Sequence, residues 1–145
     1  MPKPFDPLLL ENQLCFPLYS ASKKIVKSYT PFLEPFDLTY TQYITLMVLW
    51  EKKELSIASL GEILHLDSGT LTPLIKKLID KNLVSKTVDK SDRRMVCVCL
   101  TKRGQNLKQK MKDIPAKVGE CFPLNFEESL QLRALLDKIN LSDED

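Results

Sequence analysis

Leu66-Asp67-Ser68-Gly69-Thr70-Leu71-Thr72-Pro73-Leu74-Ile75-Lys76-Lys77-Leu78 is the stretch whose reading decides the fold. Leu71, Leu74, Ile75 and Leu78 fall at i, i+3, i+4 and i+7, which is one apolar stripe of an amphipathic helix. Asp67 or Thr70 is placed to cap its start, and Pro73 is tolerable if it lies in the first turn. Outside the stripe stand Ser68, Thr70, Thr72, Lys76 and Lys77. Short hydroxyls and cations on an exposed helix face are the chemistry that reaches base edges and phosphates in a major groove.

Upstream, Thr39-x-x-Gln42 is a capping box, followed by a helix through Tyr43, Leu46, Met47 and Trp50. Leu55 and Ser56 begin a short helix with Leu60, Ile63 and Leu64 inward. Downstream the period changes from helical to alternating. Leu83–Val88 and Met95–Leu100 are β-prone runs around a polar, charged turn, Asp89-Lys90-Ser91-Asp92-Arg93-Arg94. Helix, short helix, turn, polar-faced helix and basic-tipped hairpin is the order of a winged helix-turn-helix, spanning about residues 55–100. Arg93 and Arg94 at the tip suit phosphates or a narrow minor groove, and Asp92 is placed to orient one of them by a bidentate contact.

Charge agrees with this reading. From Asp67 to Arg103 nine basic residues face four acids, a local charge of +5, which leaves −3 on the rest of a chain whose net charge is +2. A length of 145 residues is that of one compact domain, and 43% apolar with 28% charged residues is an ordinary globular composition. No apolar run approaches the ~20 residues needed to span a bilayer, and no signal-like segment opens the chain, so a cytoplasmic protein is expected. Cys15, Cys97, Cys99 and Cys121 are then thiols by default.

Two flanking helical segments complete the chain, about 5–35 and 102–141. In the first, Asp6-Pro7 reads as an N-terminus, with Leu10, Leu14, Leu18, Ala21 and Ile25 on one face. Pro17 is expected to kink it one turn earlier, and Pro31 and Pro35 close it. In the second, Thr101 caps a helix with Leu107, Met111, Ile114 and Val118 inward and Pro115 bending it. Asn125-x-x-Glu128 caps the last, with Leu132, Leu135, Leu136 and Ile139 as its stripe. These stripes lack partners inside so small a module, and a two-fold homodimer would bury them. The expected fold is therefore mainly α (α+β): one domain of 145 residues, a winged helix-turn-helix with flanking N- and C-terminal helices forming a dimerisation domain.

The residue types alone favour a packed, inert Cys15. On that reading it lies about two turns into its helix, past the reach of the helix dipole, with no basic neighbour. Tyr19, one turn on, and Tyr29 and Tyr40, flanking the next loop, offer hydroxyl donors to a thiolate. Cys97 and Cys99 read as structural cysteines. One histidine, His65, and no CxxC pair leave no metal site or cofactor in view, and the chemistry of a hydrolase is unsupported.

Five segments resemble the MarR family of winged-helix regulators, and within it the OhrR organic-hydroperoxide sensors. They are Leu10-Glu11-Asn12-Gln13-Leu14-Cys15-Phe16, Thr39-Tyr40-x-Gln42-Tyr43, Leu49-Trp50-Glu51, Leu66 through Leu74, and Asp92-x-Arg94, within about residues 5–120. The resemblance implies a sensing thiolate at Cys15, held by Tyr29 and Tyr40 of the partner subunit. It implies that Asp67 to Leu78 reads DNA and that Arg94, braced by Asp92, enters the minor groove. It also implies a repressor of a pseudo-palindromic operator, released when organic hydroperoxide or hypochlorite oxidises Cys15. Cys121, near the junction of the last two helices, favours a disulfide between subunits over a mixed disulfide with a low-molecular-weight thiol. The competing expectations are release by a small phenolic or aromatic ligand with Cys15 incidental, and, more remotely, a thiol peroxidase.

Overall fold

The computed structural model describes residues 4–141. The Asp6-Pro7 signal opens no long helix. Asp6 Oδ1 accepts from the Leu8 N–H at 2.9 Å, and the Asn12 and Gln13 amides donate back to the carbonyls of Asp6 and Pro7. These side-chain bonds compete with helix formation and leave a looped segment containing one 3-10 turn, Leu10–Asn12. Helix α1 is Cys15–Leu33. Pro17 is thus its third residue, where an N–H has no intrahelical acceptor, so the expected kink has no cause. Nor does Pro31 close the helix. It lies inside α1, whose last turn passes into a 3-10 turn, Glu34–Phe36, containing Pro35.

Helix α2, Tyr40–Lys52, starts on the expected capping box: the Thr39 hydroxyl accepts from the Gln42 N–H and Gln42 Oε1 accepts from the Thr39 N–H. Its inner face holds Tyr43, Leu46 and Leu49 with two polar residues, Gln42 and Thr45, while Met47 is exposed. The polar pair is tolerated because each is bonded; Thr45 Oγ1 donates to the Thr41 carbonyl at 2.7 Å.

Leu55 and Ser56 do not begin a helix. They belong to strand β1, Glu54–Ser56, because β3 (Val96–Leu100) offers a second edge beyond its hairpin with β2 (Val84–Val88). The antiparallel sheet has the order β1-β3-β2, with Leu55 opposite Val98 and Lys86 opposite Val98 on the other side. As the central strand, β3 is paired along both edges, and Val98 is fully buried. Cys97 is buried too, but Cys99 is only half-buried, its sulfur 3.2 Å from the Ser85 hydroxyl.

Ser56 instead caps α3, Ile57–Leu64, which ends on His65 in the left-handed region; Ile63, expected inward, is exposed. Helix α4 is Ser68–Asp80, and its buried residues are the four of the sequence stripe, Leu71, Leu74, Ile75 and Leu78. Pro73 lies in its second turn rather than its first.

Thr101 caps α5, Lys102–Met111, and also donates to the Asn82 carbonyl at 2.7 Å. Pro115 does not bend one long helix. The chain breaks after Met111 and restarts as α6, Ile114–Gly119, with Pro115 in its first turn, where proline is accepted. Met111, Ile114 and Val118 are buried as expected. Helix α7, Phe126–Leu141, carries a reciprocal cap between Asn125 and Glu128. The chain divides into two compact units between Ile114 and Pro115. In the first, Leu46, Leu49, Leu60, Ile75, Leu78 and Val98 form the fully buried centre. In the second, Leu132, Leu135 and Ile139 of the α7 stripe are exposed. The N-terminal unit leaves Leu10, Leu14, Phe16 and Leu18 exposed in the same way.

Candidate functional site

Two groups of residues carry chemistry, one at the start of α1 and one on α4 and the hairpin. Cys15 is exposed and free, and it is the first residue of α1 rather than one two turns inside it. The looped residues before it account for the difference. At that place the first-turn N–H groups lack helical acceptors, and the positive end of the helix dipole favours a negative charge. Tyr19 lies one turn further on the same helix, exposed, with the Lys23 ammonium 5.2 Å from its ring centroid.

Tyr29 and Tyr40 come together within the chain, α1 against the first residue of α2, with ring centroids 4.9 Å apart. Tyr43, which sequence reading treated only as core, joins them at 5.6 Å from Tyr29 and passes the contact to Trp50 at 6.4 Å. Burial, then the neighbouring Tyr40, raises the Tyr29 phenol above its ordinary range; burial, then Tyr29 and Tyr40, pushes Tyr43 up to about 12. Both therefore stay protonated near neutrality and remain hydrogen-bond donors. Cys121 is exposed and free, its thiol 3.6 Å from the Lys117 carbonyl oxygen. Cys97 differs from both: burial, then the nearby Glu54 carboxylate, holds its thiol above the usual range.

On α4, Ser68, Thr70, Thr72, Lys76 and Lys77 are all exposed, opposite the buried stripe. Asp67 is the cap: Oδ1 accepts from the Thr70 N–H at 2.8 Å, and these bonds hold its carboxyl below the usual range. At the hairpin tip Arg93 and Arg94 are exposed. Asp92 does not grip a guanidinium; its Oδ1 accepts from the Arg94 main-chain N–H at 3.0 Å, because a carboxylate two residues back reaches the backbone first. Asp89, unremarked in the sequence beyond its charge, organises this turn. Its Oδ1 accepts from the Ser91 and Asp92 N–H groups at 2.7 and 3.2 Å, and Ser91 above all lowers its carboxyl. The signal available for it was an Asp followed two residues on by Ser, an Asx-turn pattern.

Among the described residues, no cluster of three or more His, Cys, Asp or Glu is placed to hold a metal, and no helix is long and apolar enough to cross a membrane.

Residues 27–111 match the family described as transcriptional regulator SarA/Rot. The chain belongs to this family of winged-helix transcriptional regulators. It is 40% identical over 136 residues to the organic hydroperoxide resistance transcriptional regulator of Bacillus subtilis, covering 94% of this chain and 92% of that one. That places it among the OhrR-type members of the MarR group, which regulate transcription rather than catalyse reactions. Among solved structures, AbfR of Staphylococcus epidermidis matches in several states. Reduced AbfR bound to DNA matches with a TM-score of 0.79 at 32% identity, covering 92% of this chain and 91% of that one. Overoxidised AbfR bound to DNA gives 0.76 at 32%, covering 90% and 93%. Disulfide-formed AbfR gives 0.65 at 35%, covering 88% and 91%. The chain therefore superposes better on the two DNA-bound forms than on the disulfide form. BpsR of Bordetella bronchiseptica, whose DNA binding is regulated by 6-hydroxynicotinic acid, matches at 0.85 with 25% identity, covering 97% and 100%.

Proposed function

We propose that the chain is a redox-sensing repressor that holds a pseudo-palindromic operator as a reduced homodimer and leaves it when Cys15 is oxidised. The observation that carries this reading is an exposed, free Cys15 at the first position of α1, in a chain so similar to an organic hydroperoxide regulator. The Cys15 thiolate attacks the peroxide O–O bond of an organic hydroperoxide, giving sulfenic acid and an alcohol. Hypochlorite serves equally, losing chloride. The sulfenic acid then condenses with the Cys121 thiol of a second copy, forming a disulfide and releasing water; a low-molecular-weight thiol is the other acceptor. AbfR described on DNA both reduced and overoxidised, and separately in a disulfide form, favours the disulfide as the releasing event.

In this reading Tyr29 and Tyr40 of one copy donate to the Cys15 thiolate of the other, phenol hydroxyls supplying bonds without adding charge. Tyr19 flanks the thiolate on its own helix. Asp67 presents α4 to the major groove, Ser68, Thr70, Thr72, Lys76 and Lys77 make its contacts, and Arg93 and Arg94 on the Asp92-braced tip reach the backbone or the minor groove. Two copies would place their α4 helices in half-sites about one helical turn, ~34 Å, apart. A hundredfold loss of affinity requires only ~2.7 kcal/mol, within reach of one new covalent bond. The BpsR likeness favours a second reading, release by a small aromatic ligand.

Operator gel shifts with and without cumene hydroperoxide decide between them. Wild type is expected to release DNA, Cys15→Ser to stay bound, and Cys121→Ser to stay bound and to lack the dimer band of wild type on a non-reducing gel. Release of Cys15→Ser on oxidation would remove the sensor assignment. Release of Cys121→Ser without that band would leave the small-thiol route.

A further inference from the structure

Lys81 is counted in the basic block, yet its ammonium is not offered to DNA. It is the C-cap residue of α4, and its side chain is only 25% exposed. An ammonium has three hydrogens to donate. Here Nζ donates to Gln42 Oε1 at 2.9 Å and to the Asp37 main-chain carbonyl, and it pairs with Asp37 Oδ2 at 3.6 Å. Among the described residues the only other ion pair is Lys52 with its chain neighbour Glu51.

Both acceptors belong to the junction of α1 and α2. Asp37 ends the 3-10 turn that follows α1 and is held at φ 54° in the left-handed region, which aims its carbonyl away from the helix path. Gln42 is 2% exposed, and its one amide oxygen serves two donors, the Thr39 N–H that starts α2 and the Lys81 ammonium that ends α4. Tyr40, in the same turn of α2, packs its ring at a tilt against Tyr29 of α1. One turn of α2 thus touches α1 through a ring and the end of α4 through an amide.

We propose that Lys81 is a positioning residue: it fixes the C-terminal end of α4 to the α1–α2 junction, so that the helix presented to DNA follows that junction. The proposal rests on the reading of α4 as the DNA-reading helix and deepens the redox reading by naming the link between α1 and α4. Without the link α4 samples placements that do not fit the operator, and apparent affinity falls by the fraction that fits.

The test is operator affinity across a salt series for the full-length reduced protein, with melting temperatures, followed by the same titration after cumene hydroperoxide. Lys81→Met keeps the apolar stem. It is expected to weaken binding of the reduced protein about tenfold, or ~1.4 kcal/mol, with the slope of log K against log salt unchanged, and to shrink the reduced-to-oxidised affinity ratio at least ~3-fold below wild type. Lys81→Arg restores most of both. Asp37→Asn keeps the left-handed backbone and the carbonyl while removing the ion pair, and gives an intermediate loss even if Lys81→Met is poorly folded. A slope lower by about one would make Lys81 a phosphate contact and overturn the proposal. Wild-type affinity in Lys81→Met, or an unchanged oxidation ratio, overturns it as well. If wild type itself ignores the oxidant, the redox reading fails, and affinity at constant slope still decides the role of Lys81.

Discussion

Asp67 shows how a helix cap ties one carboxylate to the stability of the fold. Its bonds to the Thr70 and Gly69 region lower its carboxyl, so the folded state prefers it ionised. A depressed carboxyl contributes stability that is complete above the ordinary value of 3.8 and is lost as pH falls through the lowered one. Asn caps helices about as well as Asp but does not titrate there. The urea midpoint of wild type is therefore expected to drop relative to Asp67→Asn below about pH 4, with the difference between the two flat near neutrality. A constant difference down to the acid limit would show that the cap does not titrate. Near the thiol the same scale gives a different lesson. Sequence reading put Cys15 beyond the dipole's reach because Asp6-Pro7 has the signature of a helix start. The side chains of Asp6, Asn12 and Gln13 spend themselves on nearby backbone instead, and no pattern rule weighs that competition.

At the scale of elements, periodicity was a good guide where one face is wholly buried and a poor one where cover comes from elsewhere. The α4 stripe, the capping boxes of α2 and α7 and both hairpin strands were legible, because each is specified by neighbours in the chain. Strand β1 was not, since three residues become a strand only when β3 presents an edge to them. The bond from Asp92 to the Arg94 backbone and the turn built by Asp89 likewise depend on hairpin geometry. That geometry makes Arg94→Ala a clean probe of the tip: it is expected to weaken operator binding and lower the salt slope by about one. An unchanged slope takes Arg94 out of the interface. Helix α5 depends on a glycine. A Cβ on Gly104 would run into the Leu83 carbonyl oxygen, which also accepts the Thr101 N–H at 3.1 Å, and backbone so tied cannot give way. Gly104→Ala is expected to cost about 1–3 kcal/mol, read as a lower denaturant midpoint at unchanged m-value. Wild-type stability would mean that α5 can shift.

Across the whole molecule the most visible property is uncovered apolar surface at both ends of the chain. Leu14 is 81% exposed and Phe126 80%, with Leu132 and Leu135 exposed beside the latter on α7. Apolar helix faces left uncovered on a folded chain point to an interface, and closed two-fold pairing is the usual outcome. Leu135→Glu is expected to convert a dimer into a monomer in sedimentation equilibrium and to weaken operator binding more than tenfold, since half of a palindrome is then lost. A monomeric wild type would refute the dimer outright. The outward stripe of α7 was readable as apolar and as lacking a partner within so small a chain, because the winged-helix core has its own stripes to cover it.

One contact from the first unit bears on how such experiments can be followed. The chain has a single tryptophan, Trp50, whose indole N–H donates to the Gly104 carbonyl at 2.9 Å, joining α2 to α5. All indole fluorescence therefore originates at that junction, beside the Tyr43 ring. Its emission wavelength and quenching report, without any label, whether that joint loosens when oxidant is added.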